Sequence, residues 1–166
     1  MLKNFKDGYQ VSSKSVTAKT ETKDCVVRAI ANACDVNYEQ AHELVKLKFK
    51  RKKGEGTKQS NEILKTLDQV TFDQVGQLDL FNDNTVKTFK HLGDMPKLGG
   101  DLINIKYKHK KVAYTVKAFA QEFKHGNYIV LVNKHALAIN DGVIVDNSDY
   151  QSNGYRRVVE SAFAIV

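Results

Sequence analysis

Three short apolar runs separated by two-residue turns fill the stretch from Tyr128 to Asp146, and only an antiparallel meander accommodates such closely spaced turns. The runs are Tyr128 to Val132, His135 to Asn140 and Val143 to Asp146, joined at Asn133-Lys134 and Asp141-Gly142. Asp-Gly is favoured in a type I′ turn because both of its central residues take positive φ. A last strand is expected over Arg157 to Val166. A further hairpin is expected from Leu102 to Tyr107, through the basic turn Lys108-His109-Lys110-Lys111, to Val112 to Tyr114.

Helical signals dominate the first half. Asp24 stands as an N-cap before Cys25 to Cys34, where Val27, Ile30, Ala31 and Cys34 share one face. Asn37 and Gln40 form a capping box for a second helix, with Ala41, Leu44, Val45 and the stem of Lys48 facing inward. That helix is expected to run out in Lys50-Arg51-Lys52-Lys53-Gly54. Ile63, Leu64 and Leu67 suggest a third helix over Asn61 to Leu67, and Val86, Phe89 and Leu92 a helical turn within the otherwise unassigned stretch from Thr71 to Asp101. Thr115 caps a helix carrying Val116, Phe119, Ala120 and Phe123, which stops at His125-Gly126. Helices first and an antiparallel sheet last make an α+β fold.

With one proline, no repeat and no linker-like stretch, the 166 residues read as a single domain over 1–166. Its polar residues 1–23 are expected to form an arm or a loosely packed strand. No apolar run approaches membrane-spanning length and the first residues lack a signal peptide's apolar core, so a cytoplasmic protein without a membrane partner is expected. Two cysteines make no disulfide framework. On one helix, Cys25 and Cys34 would lie roughly 13 Å apart along the axis, so the two have different roles.

Cys25 is the more telling of the two. A cysteine in the first turn of a helix meets unpaired backbone N–H groups and the positive end of the macrodipole, which favour a thiolate. His135 opens a late strand, and Asp146 and Asn147 follow on the returning one. Nucleophile, base and orienting group are the three parts of thiol catalysis. The orienting group depends on hairpin register. A two-residue turn at Asp141-Gly142 sets Asp146 diagonal to His135, whereas a three-residue loop with a glycine bulge sets Asn147 opposite it. Asp146 is preferred, because a carboxylate stabilises an imidazolium more than an amide does.

The order DCVVRAIA opening a helix and HALAI-x-DG-x-I-x-DN closing a sheet resembles the papain-like cysteine peptidase superfamily. It looks closest to the small phage-encoded and bacteriocin-leader-peptidase-like members, over Lys23 to His42 and Thr115 to Asn147. The resemblance implies a papain-like fold with the nucleophile-bearing helix packed on the C-terminal sheet, and the catalytic residues Cys25, His135 and Asp146. It also implies a protein or peptide substrate whose amide, isopeptide or thioester bond is cleaved or transferred, and a phage protein directed at a host factor. Two positions depart from the pattern: Lys19 replaces the glutamine six residues before the cysteine, and Val26 replaces the tryptophan after it. Gln10, Lys19, Thr20 and Asn32 are the candidate second oxyanion donors beside the Cys25 N–H.

The missing glutamine favours an alternative, a catalytically inactive scaffold that binds nucleic acid or a host protein through its basic surface. Net charge is +7, and Lys46 to Lys53 and Lys106 to Lys111 interleave lysines with an aromatic residue, which suits weak, sequence-independent nucleic-acid binding. The preferred explanation of these runs is structural: lysines complement a helix C-terminus and guard a hairpin edge. His42, His91, His109 and His125 lack metal-site spacing, so neither metal nor cofactor is expected. Cys34 is expected to be a core residue.

Overall fold

A computed structural model describes residues 4–9, 15–56, 70–72, 85–87, 89–94, 114–147 and 155–166. Within them the protein is α+β. Strands β1 (Phe5–Asp7), β4 (Phe89–Asp94), β5 (Asn127–Val132), β6 (His135–Asn140), β7 (Val143–Asp146) and β8 (Val159–Ile165) form one sheet in the order β1-β7-β6-β5-β8-β4. Strands β2 (Val70–Phe72) and β3 (Thr85–Lys87) pair separately. The described helices are α1 (Val16–Thr20), α2 (Cys25–Cys34), α3 (Tyr38–Phe49) and α4 (Val116–Glu122).

The meander β5-β6-β7 follows the sequence pattern closely. Asp141 and Gly142 have φ of 48° and 76°, as a type I′ turn requires. Asn140 pairs with Val143, Ile139 with Ile144 and Ala138 with Val145. The turn therefore has two residues, and the bulged register that would bring Asn147 opposite His135 is not formed. Alternation divides the strands between two cores. Ile129, Leu131, Ala136, Ala138 and Val145 join the cluster beneath α2 and α3, while Val130, Val132, Leu137, Ile139 and Ile144 join that of α4. Both faces are covered, so the central strands read as nearly continuous apolar runs.

The capping signals hold for two helices. Asn37 accepts from the Gln40 N–H at 2.8 Å while Gln40 accepts from the Asn37 N–H at 3.1 Å, and Thr115 accepts from the Ala118 N–H at 3.1 Å. Other expectations need correction. The sheet is mixed rather than antiparallel, because β1 joins it parallel to β7 with Phe5 opposite Ile144 and Asp7 opposite Asp146. The N-terminal arm is thus partly a sheet strand, and a helix, α1, follows it with Ser15 accepting from the Ala18 N–H at 3.2 Å. Asp24 occupies the N-cap position of α2 without capping it. Helix α3 does run out at Lys50, which turns left-handed with φ 51° after Phe49, but its inward stripe differs. Lys48 is exposed, and Tyr38 and Phe49 complete the inward stripe instead. Phe89 and Leu92 lie in strand β4 rather than on a helical turn, and Val86 lies in β3: neighbouring strands override a weak local pattern. The last strand is shorter than expected, starting at Val159. The helix expected over Asn61 to Leu67, and the hairpin from Leu102 through Val112, lie outside the described residues.

Candidate active site

Helix α2 is buried almost all round, from Val26 to Ala31 and again at Ala33 and Cys34. It packs along β6, with both running in the same direction. Its far end is held by two asparagines that face each other across β5 and β6. Asn140 Nδ2 donates to the Asn32 carbonyl at 2.9 Å and Asn127 Nδ2 to the Ala33 carbonyl at 3.0 Å. These amides satisfy carbonyls that the last helical turn leaves open and fix the helix along its axis. From Cys25 to Cys34 the helix rises about 13 Å and from His135 to Asn140 the strand about 17 Å, so pinning one end brings Cys25, at the other, toward His135 where β6 begins.

The three residues singled out in the sequence meet there. His135 Nε2 bonds both carboxylate oxygens of Asp146, at 2.9 and 3.1 Å, and Cys25 lies close enough to act on its ring electrostatically. Burial disfavours the imidazolium, but the hydrogen bonds to Asp146, the proximity of Cys25 and the negative charge of both partners outweigh it and raise His135 to about 9. At neutral pH the ring is charged. Cys25 is half-buried and Cys34 fully buried, at 1 % exposure. Asp146 is fully buried and accepts a further hydrogen bond from the Tyr155 hydroxyl at 3.2 Å. The Tyr155 ring in turn stacks on Phe5 of β1, 5.9 Å between centroids.

The Asp24 carboxylate that fails to cap α2 accepts instead from Arg28 Nε at 2.9 Å and the Tyr38 hydroxyl at 2.7 Å. The amides of the first turn are therefore not taken by that side chain. The guanidinium of Arg28 lies 4.3 Å from the Tyr9 ring centroid and 5.4 Å from that of Tyr38. Tyr9 is thereby held within electrostatic reach of the site. Burial first, then the charges of Asp146 and Cys25, drive its phenol pKa upward, so Tyr9 keeps its proton and remains a donor.

Of the candidate oxyanion donors, Gln10 lies outside the described residues. Lys19 is exposed on α1, and the Thr20 hydroxyl donates to the Thr17 carbonyl at 3.0 Å. Asn32 sits two turns along α2 from Cys25, against Gly8. None of these three is brought to Cys25. Asn147 follows β7 by one residue. Among the described residues, no three His, Cys, Asp or Glu side chains come together as a metal-holding group.

Sequence reasoning missed Tyr9, Asn127, Asn140 and Tyr155. An asparagine opening β5 and another closing β6, opposite each other at one end of the strand pair, was the available sign for the clamp, whereas nothing local marks Tyr9 or Tyr155. Compared with protein-family models, curated proteins and solved structures, the chain matches none. No helix among the described residues is long and apolar enough to cross a membrane.

Proposed function

We propose that the protein is a papain-like cysteine-dependent hydrolase or acyl-transferase. Cys25 attacks the carbonyl of a peptide, isopeptide or other amide or thioester bond, and the His135 imidazolium gives its proton to the departing amine or thiol. Water or an amine then attacks the thioester while His135 takes up its proton, and Cys25 is released. Asp146 holds the imidazole in orientation and stabilises its charge. The backbone N–H of Cys25 is one oxyanion donor.

The observation that carries this reading is the buried, hydrogen-bonded His135–Asp146 pair within electrostatic reach of Cys25, which opens a helix whose first turn lacks its side-chain cap. A thiol-reactive probe applied at mildly acidic pH tests the proposal. Labelling confined to Cys25 and abolished by His135→Ala is expected. Slow labelling indifferent to that substitution would leave Cys25 an ordinary thiol.

A further inference from the structure

A cavity of 620 Å³ opens between α1, α3 and the segment that follows α3, apart from the Cys25–His135–Asp146 chain. Its size is that of a small-molecule site. Lys46, Arg51, Lys52 and Lys53 line it against one acidic residue, Glu21. That carboxylate is already committed: it accepts from Arg51 Nη2 at 2.7 Å and the Gly54 N–H at 3.4 Å, and lies 3.4 Å from His42 Nε2. Three lysines therefore line the cavity without a free opposing carboxylate among the described residues. Helix-dipole compensation accounts for Lys46 but not for Lys52 and Lys53, which follow the helix end at Phe49 and the left-handed turn at Lys50.

Two further features point to a ligand. Arg51 is 2 % exposed at its side chain, yet its Nε–H has no hydrogen-bond partner, a costly state for a buried donor. Val16 presents an apolar side chain at the same cavity while 78 % exposed. Clustered positive charge beside an apolar wall suits an anion that concentrates charge on an apolar body. Phosphoryl groups joined in a chain concentrate it; carboxylates along an extended peptide are spread about 3.3 Å per residue.

We infer that this cavity binds a nucleotide, with its phosphates on Lys46, Lys52 and Lys53 and its base and sugar against Val16. The same chemistry is offered by a free nucleoside triphosphate and by the phosphorylated end of a nucleic-acid strand.

Calorimetric titration of the full chain at low salt, with magnesium-free ATP and separately with a 5′-phosphorylated oligothymidylate, tests it. Binding that weakens with added salt is expected. The exposed-residue variant Lys46→Gln/Lys52→Gln/Lys53→Gln is expected to lower affinity about tenfold or more. The control Lys90→Gln/Lys117→Gln/Lys124→Gln removes the same charge elsewhere and is expected to change affinity by less than about threefold. Tighter binding of the oligonucleotide than of ATP assigns the site to a strand end, and the reverse assigns it to the free nucleotide. The inference is overturned if neither probe binds, if the two variants weaken binding equally, or if a glutamate-rich peptide binds and neither phosphate probe does. None of these results depends on Cys25 being reactive.

Discussion

At the scale of single residues, the identity of the group behind His135 decides how the site works. Asp146 is buried, bonds Nε2 with both oxygens and is steadied by Tyr155. Asp146→Ala is expected to slow alkylation of Cys25 about tenfold or more, since the imidazolium loses its counter-charge. Asn147→Ala is expected to change the rate less than about twofold, and measuring both rates by mass spectrometry checks the order. The pH dependence follows from the same contacts. His135 must carry a proton to release the leaving group, so substrate turnover is expected to fall as pH rises through about 9. Its folded pKa lies above the unfolded value of 6.5, so the bound proton stabilises the fold fully below about 6.5, and that contribution is lost as pH rises through about 9. The stability difference between the wild type and His135→Gln, from urea unfolding, is accordingly expected to shrink over that window by about 3 kcal/mol. A difference that grows with pH would contradict the assignment.

At the scale of elements, the site depends on where α2 stops as much as on where it starts. The clamp of Asn127 and Asn140 on the last carbonyls fixes the axial position of Cys25 from the opposite end of the helix. Asn140→Ala is expected to cost about 1 kcal/mol of stability and to slow Cys25 alkylation even under conditions where the protein remains folded. Unchanged alkylation in the folded variant would show that the helix is held elsewhere. The chain just past strand β1 approaches the same helix with no room to spare. A β-carbon at Gly8 would lie 2.4 Å from Asn32 Nδ2 and 2.5 Å from Val145 Cγ1. Gly8→Ala is therefore expected to destabilise the protein by about 1–3 kcal/mol, read as a lower urea midpoint, by pushing β1 off β7 or displacing Asn32.

At the scale of the whole molecule, the two cysteines report on different events. Cys25 is reachable in the native state, whereas Cys34 lies in the core shared by α2, α3 and the sheet. In native buffer Cys25 alone is expected to alkylate, and Cys34 is expected to label only as urea unfolds the whole domain; Cys34 reacting first would reverse the roles. While the length of the turn at Asp141-Gly142 was decided by the register of the structure, the sequence by itself determined the meander β5-β6-β7, the capping box of α3 and the cap of α4. These rest on contacts within a few residues, where turn chemistry, periodicity and caps act directly. It also marked Cys25, His135 and Asp146 as chemically suited to one another. Only the tertiary structure decided that they meet. Their meeting depends on helix α2 lying along β6 and on clamps between residues about a hundred positions apart, such as Asn32 with Asn140. It likewise decided the parallel pairing of β1, the diversion of Asp24 from capping to Arg28 and Tyr38, and the roles of Tyr9 and Tyr155. Each of these is fixed by burial and by the hydrogen-bond demand of groups distant in sequence, which no local pattern encodes.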